Sequence, residues 1–169
     1  VGSEMCIRDR GSAYIRAFEY VRREFDADVI VMMDADLSHP PDLIPKLLER
    51  IEEGHDLVIG CRYMEGGGTP DWSWNRRILS RLGNLVARTI GRIRHVRDCT
   101  SGFRAIRASQ LDLVRMEKLH TRGYAFLTTL LFELAQSGAR IKEVPLVFRD
   151  RRFGETKLDK RDILEFGIC

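Results

Sequence analysis

Five apolar residues, Val29 to Met33, run without interruption into a pair of acids, Asp34 and Asp36, and on through Leu37-Ser-His-Pro-Pro41. A run this short, β-branched at its start and bounded by charge, reads as a strand buried on both faces. In open α/β sheets the carboxyl end of such a strand is where ligands bind. Side chains two apart on an extended chain point the same way, so Asp34 and Asp36 are expected to face one ion or ligand together. Two hard oxygen anions at that spacing suit Mg²⁺ or Mn²⁺, with water and substrate phosphates completing the shell. The competing reading is a surface turn with two solvated acids closed by Pro40-Pro41, and Asp-x-Asp alone does not choose between the two. His39 is either a turn residue ahead of the prolines or a third ligand.

The flanking segments place this strand in an α/β sheet. Ser12 to Phe25 carries Tyr14, Ala17, Phe18, Val21 and Phe25 at helical spacing, with Ser12 as its N-cap. Pro41 to Glu53 is a second helix, with Leu43, Ile44, Leu47, Leu48 and Ile51 on one face and Gly54 as its stop. Pro45 predicts an irregular first turn there. Asp56 to Cys61 is the next buried strand and delivers Arg62 to the same rim as the two acids. Strand, helix, strand in this order implies a parallel pair with a right-handed crossover.

Glu65 to Pro70 is a turn-rich loop leading to Asp71-Trp-Ser-Trp74, whose tryptophans are either core or half-buried at a lipid headgroup interface. Asn75 to Ile90 is helical, with an apolar face of Ile78, Leu79, Leu82, Leu85, Val86 and Ile90. Arg76, Ser80, Gly83 and Ala87 form a narrow stripe beside that face. Periodicity alone makes the stripe ordinary helix packing, although a cation and a hydroxyl one turn apart also leave room for a phosphate.

Asp98 to Arg104 is a polar turn into a short strand, Phe103 to Ile106. Helices are expected over Ala108 to Met116 and Tyr124 to Ser137, the latter with Phe126, Leu127, Leu130, Leu131 and Leu134 inward and Gly138 at its end. Lys142 to Phe148 alternates as a strand that Pro145 confines to an edge or a bulge. A basic loop, Arg149 to Lys157, precedes a final helix over Asp159 to Phe166.

With 169 residues, 44% hydrophobic and 31% charged, the chain is an ordinary globular domain. A net charge of +3 does not argue for nucleic acid, and the arginines are not interleaved with an aromatic stacking platform. Cys6, Cys61, Cys99 and Cys169 are dispersed without zinc-like spacing, which suits free thiols in a reducing compartment. No apolar run approaches the roughly 20 residues of a membrane helix. Residues 1–10, VGSEMCIRDR, share no periodicity with the rest of the chain and resemble a translated sequencing-adapter artefact. They are expected to be a non-native leader, with the domain over 11–169.

The strings DADLSHPPDL, GCRYMEGGG, WNRRILSRLGN, DCTSGFRAIR, RGYAFL and EVPLVFRDRRFGETKL together resemble the polyprenyl-phosphate (dolichol-phosphate) mannosyltransferases of glycosyltransferase family 2. The likeness covers Gly11 to Leu158. It implies a nucleotide-sugar-binding (GT-A-like) α/β domain with a mostly parallel central sheet. It also implies transfer of mannose from GDP-mannose to a polyprenyl (dolichyl) phosphate. Asp34, Ala35 and Asp36 resemble the family's Asp-x-Asp site for the diphosphate, with Mg²⁺ or Mn²⁺ on Asp34 and Asp36. Some members have Gln as a further metal contact where Ser38 stands. Arg62, Arg76 and Ser80 resemble the holders of the acceptor phosphate, and Arg151 and Lys157 the basic pair over the donor diphosphate. Asp98 lies in a motif near the sugar and joins Asp36 as a catalytic candidate.

The family's opening strand and Pro-Thr-Tyr-Asn-Glu-like loop have no match, so the chain reads as a fragment lacking its N-terminal strands, with sheet surface left open to association. The acceptor phosphate is largely ionised near neutral pH and attacks without a general base, inverting the sugar carbon. The long lipid of the acceptor implies work at a membrane surface, peripheral at the cytoplasmic face. A UDP-glucose-dependent enzyme of the same type and a non-catalytic binding fragment are the alternatives.

Overall fold

A computed structural model describes residues 10–119 and 125–150. The elements in chain order are α1 (Arg10–Glu24), β1 (Val29–Met32), α2 (Ile44–Glu52), β2 (Leu57–Cys61), α3 (Trp74–Ile90), β3 (Arg104–Arg107), α4 (Ala125–Gln136) and β4 (Ile141–Pro145). The four strands form one sheet in the order β1-β3-β2-β4. β3 runs antiparallel to both β1 and β2, while β2 and β4 are parallel. Three of the four strands therefore share a direction, as the sequence implied, but the sheet is mixed. β1 and β2 point the same way without being neighbours, because β3 inserts between them. The adjacent parallel pair expected from the strand-helix-strand order is absent for that reason.

Side-chain alternation along the two central strands sorts the core into two layers. Leu57 and Ile59 of β2 and Ile106 of β3 join Phe18 of α1 and Phe126, Leu130 and Leu134 of α4 on one face. Val58 of β2 and Ala105 of β3 join Leu47 and Ile51 of α2 on the other. Every residue of β2 is buried, as a central strand requires. β1 departs from its expected burial on both faces: Val29, Ile30 and Val31 are half-buried and Met32 alone is buried. Its place at the sheet edge leaves one flank unpaired among the described strands.

Proline chemistry behaves as expected. Pro41–Leu43 forms a tight 3₁₀ turn ahead of α2, with Pro45 in the first turn of the helix. Pro45 lacks an N–H to lose there. Pro145 ends β4 at the opposite sheet edge, and the strand direction continues only as a bridge between Gly68 and Val147. Ser12 lies inside α1 rather than capping it, since that helix already begins at Arg10. Residues Ala108–Asp112 and Met116–Leu119 are 3₁₀ turns instead of the expected helix. Leu111, buried at 1% exposed, anchors the first of these turns, and Val114 is buried in the link between them.

Helix α3 forms where the sequence places it. Its Ser73 cap accepts the Arg76 N–H, and its length matches the expected helix closely. Its buried side chains, however, are Asn84 and Ala87. The apolar stripe points outward: Ile78, Leu79, Leu82, Leu85, Val86 and Ile90 are all exposed, and so is Trp74. Periodicity gives the helix and its stripe but not which side meets the sheet.

Candidate functional site

The acids lie just past the end of β1, where the chain leaves the strand and turns at Ala35-Asp36. Strand alternation therefore does not set the relation of the two carboxylates. Asp36 Oδ1 accepts the Ser38 N–H at 3.0 Å and the Ser38 hydroxyl at 2.5 Å, a side-chain turn that fixes its direction. Leu37 sits at φ +63°, the left-handed region that leucine rarely enters. Ser38, buried at 1% exposure, thus supports Asp36.

The Asp34 N–H donates to His39 Nδ1 at 2.9 Å, which makes that ring nitrogen an acceptor and closes it to a cation. His39 stacks on Phe103 at 5.1 Å and meets Phe148 edge-on at 5.4 Å. Burial lowers its pKa below the ordinary 6.5 against the opposing charge of Asp34, so the ring is neutral at neutral pH. His39 is the turn residue of its two readings, and it anchors the backbone under Asp34.

β2 delivers Arg62 to a buried ion pair. Its Nε and Nη2 donate to the two carboxylate oxygens of Asp98 at 2.7 and 2.6 Å, and Nη2 also reaches Thr100 Oγ1 at 2.7 Å. The Arg62 backbone N–H adds a bond to Asp98 Oδ2 at 3.1 Å. The Arg62 side chain is 8% exposed and that of Asp98 is fully buried. Burial alone would lower the guanidinium pKa; the Asp98 charge outweighs it and raises the value. Tyr63, Trp72 and Phe148 surround the cation, with ring centroids 5.2–5.9 Å away. Asp98 therefore fixes Arg62 in a forked geometry.

The two α3 residues join this cluster from the other side. Arg76 lies over the Trp72 ring at 4.0 Å and pairs with Asp150 at 2.9 and 3.2 Å. Ser80 Oγ lies 2.5 Å from the Tyr63 hydroxyl. Arg62, Arg76 and Ser80 thus converge on Trp72 and Tyr63. Of the two tryptophans, Trp72 belongs to the core at 8% exposed, while Trp74 is exposed at 70%. A run of ring contacts, His39 to Phe148 to Trp72, connects the acid turn to the cations of α3. A methyl group built on Gly102 would sit 4.0 Å from Asp34 Oδ1, so the Asp98 turn also borders the acids.

Several residues in this arrangement carry no motif-level signal of their own. Asn84 donates to Ser80 O and Thr100 Oγ1 and accepts the Cys99 N–H, tying α3 to the Asp98 turn. Glu143 Oε1 accepts the N–H groups of Arg97 and Asp98, each at 2.8 Å. Arg104 is fully buried and donates to the carbonyls of Ser101, Leu127 and Cys99, which pins the same turn to α4. Each stands inside a string that the sequence singles out, yet only the folded register reveals its partner. Cys61 and Cys99 are free, and burial pushes their thiols up to about 12 and about 11, which makes them inert. Arg151 and Lys157 lie outside the described residues.

The acid turn offers oxygen donors of the kind a small divalent cation takes. Asp98 is engaged by Arg62, His39 Nδ1 is engaged by Asp34, and no cluster of three His, Cys, Asp or Glu ligands occurs among the described residues. Asp34 and Asp36 are the hard carboxylates of this turn, with Asp36 held by Ser38. Such a pair suits an ion that takes its other oxygens from substrate and water.

The family described as Glycosyl transferase family 2 matches residues 4–114. The chain is 35% identical over 156 residues to the polyprenol monophosphomannose synthase of Mycolicibacterium smegmatis, covering 92% of this chain and 58% of that one. It is 39% identical over 148 residues to the undecaprenyl-phosphate mannosyltransferase of Micrococcus luteus, covering 88% and 60%. It is 38% identical over 156 residues to the dolichol-phosphate mannosyltransferase of Pyrococcus furiosus, covering 92% and 42%. The chain thus spans about half the length of the curated relatives it matches. Among solved structures, the glucosyl-3-phosphoglycerate synthase of Mycobacterium tuberculosis with Mn²⁺ and UDP-glucose superposes with a TM-score of 0.61 at 19% identity, over 94% of this chain and 51% of that one. At that identity the likeness is one of fold.

Proposed function

This chain belongs to glycosyl transferase family 2, and on that premise we propose that it carries the core of an enzyme that transfers mannose from GDP-mannose to a polyprenyl phosphate. The observation that carries the reading is the junction of an acid turn, Asp34 and Asp36, with a cationic cluster, Arg62 and Arg76, through one set of rings. A donor diphosphate and an acceptor phosphate need those two environments side by side. The names of the relatives supply the chemistry of the acceptor and the sugar.

Asp34 and Asp36 would hold Mg²⁺ or Mn²⁺, which when bound neutralises charge building on the departing diphosphate. Ser38 and His39 keep those carboxylates oriented. Arg62, fixed by Asp98 through Nε and Nη2, would meet the acceptor phosphate with the rest of its guanidinium. Arg76 and Ser80 complete that cradle. A phosphate monoester is already largely ionised near neutral pH, so its oxygen attacks without a general base. The new bond forms between that oxygen and the anomeric carbon, the bond to GDP breaks with its electron pair, and the carbon inverts. The contribution of Arg62 and Arg76 is to hold the nucleophile in line. Arg151 and Lys157 are assigned to the donor diphosphate. The site works at the cytoplasmic face of a membrane.

The test is label transfer from a panel of nucleotide sugars into solvent-extractable polyprenyl phosphate, with the upstream region of a relative joined to this chain. Chelator-sensitive transfer from GDP-mannose is the expected result. Transfer from UDP-glucose instead would replace the donor, and no transfer from any donor by a folded protein would leave a binding fragment.

A further inference from the structure

Trp72 lies outside every string that carries the family likeness, yet Arg62 and Arg76 both rest on it. It stands just before Ser73, the cap of α3, in a turn where its own N–H donates to the Thr69 carbonyl at 3.3 Å. Arg77 of α3 donates to the Thr69 and Pro70 carbonyls at 2.8 and 2.9 Å and ties that turn to the helix. Phe148 meets the indole edge-on at 5.6 Å. The ring framed in this way carries the Arg76 guanidinium at 4.0 Å and the Arg62 guanidinium at 5.2 Å from its centroid. Both lie within the reach of a cation–π contact, about 6 Å.

The indole carries a cost that core packing does not explain. Trp72 is 8% exposed, and its Nε1–H is buried with no acceptor among the described residues. A buried donor without a partner destabilises the fold, and a phenylalanine would fill the interior without one. What indole adds over phenylalanine is the stronger face for a cation. Arg62 and Arg76 need such a face, because they are like charges brought to one place. Asp98 holds Arg62 by Nε and Nη2, and Asp150 holds Arg76 by Nη1. Arg62 also meets the Tyr63 and Phe148 rings, whereas Arg76 has Trp72 as its ring contact among the described residues. We propose that Trp72 is a positioning residue for phosphate: its indole seats the Arg62 and Arg76 guanidiniums as one pair that receives a single phosphoryl group. The step rests on the functional reading above, in which that group is the phosphate of the polyprenyl acceptor. Trp72 acts through the two arginines and not by a bond of its own to the phosphate.

Titration calorimetry of the full chain with citronellyl phosphate, a short isoprenoid phosphate monoester, tests the pair without requiring turnover. Trp72→Leu is expected to weaken binding about tenfold, and Trp72→Phe, which keeps a smaller ring, about threefold. In an Arg76→Gln background the same Trp72→Leu change is expected to cost about threefold or less, since one of the two seated cations is already gone. Circular dichroism and urea midpoints establish that each variant is folded, and the phenylalanine variant decides the matter where the leucine variant is not. No binding of citronellyl phosphate by the wild-type chain overturns the proposal. So does wild-type affinity in the folded Trp72 variants, or the same factor of loss with and without Arg76, since Trp72 then acts as packing alone. A matching loss of affinity for citronellol, which has no phosphate, overturns it as well, because the ring then serves the isoprenoid chain. The expected pattern of phosphate binding, alongside a fusion that transfers no sugar, would support the pair and overturn only the mannosyl-transfer reading.

Discussion

At the scale of single residues the site is built from pairs that fix one another. The Arg62–Asp98 pair has both partners buried and both carboxylate oxygens engaged. Removing one member leaves the other charged in a low-dielectric setting, which typically costs about 3–5 kcal/mol. Asp98→Ala is therefore expected to lower the unfolding free energy by about that amount in urea titrations. The double variant with Arg62→Met should lose much less than the sum of the single losses. An Asp98 that acted only on the sugar would instead lose activity at unchanged stability. Asp150 presents the opposite case. Its pair with Arg76 is partly exposed, at 27% and 40%, and exposed pairs are worth about 0.2–1 kcal/mol. A carboxylate on Arg76 stands where the proposed acceptor phosphate would stand, so Asp150→Asn is expected to lower the KM for polyprenyl phosphate, by about fivefold at most. A raised KM would show that Asp150 orients Arg76 instead of competing for it. The sequence exposes Arg62 and Asp98 as separate members of two strings, 36 positions apart. Their direct bond becomes visible only when β2 and the 98–103 turn meet, because no local pattern encodes a contact at that separation.

At the scale of elements, periodicity reads well a helix or strand whose own residues decide its conformation. α2 has its prolines in its opening turns and Gly54, at φ +98°, at its end, and both were legible. Gly138, at φ +86°, closes α4 by the same rule. The neighbours of an element are a tertiary matter. β1 looked like a central strand because its five-residue apolar run carries no mark of being at an edge. The apolar face of α3 was legible too, but nothing in its own spacing records what covers it or which way it points. One contact of α3 is nevertheless specific: Gly91, just past its end, lies against Phe132 of α4 so closely that an added Cβ would come within 1.5 Å of the ring. Gly91→Ala must displace Phe132 or part the two helices. It is expected to cost about 1–3 kcal/mol, the usual range for overpacking. Phe132→Ala in the same chain should restore part of the loss, and thermal melts of the three variants check both points.

At the scale of the whole molecule, the sheet is tied together at the amino-terminal end of β2, away from the site. Asp56, 7% exposed, accepts the Arg140 N–H at 2.8 Å and the Arg140 Nε–H at 3.2 Å, and Arg107 approaches it at 3.6 Å. One carboxylate therefore joins the start of β2 to the end of β3 and to the entry into β4. Burial alone would raise its pKa, but the Arg140 hydrogen bonds and the two guanidinium charges outweigh that and hold it below the ordinary 3.8. Below 3.8 the unfolded chain takes up a proton here before the folded one does. The contribution of Asp56 to stability is thus fully present above that pH and is lost as pH falls through the folded value. Asp56→Asn removes the charge and keeps the shape. Unfolding midpoints in urea, taken from neutral pH down to about pH 3, should differ most between wild type and variant at neutral pH and converge toward the acid end. A constant difference across that range would mean that the contacts of Asp56 act through shape and not through charge. Because these ties lie at the end of β2 opposite Arg62, the variant also separates global stability from the site. A stabilised or destabilised sheet with intact nucleotide binding would show that the rim and the base of this fold can be altered independently.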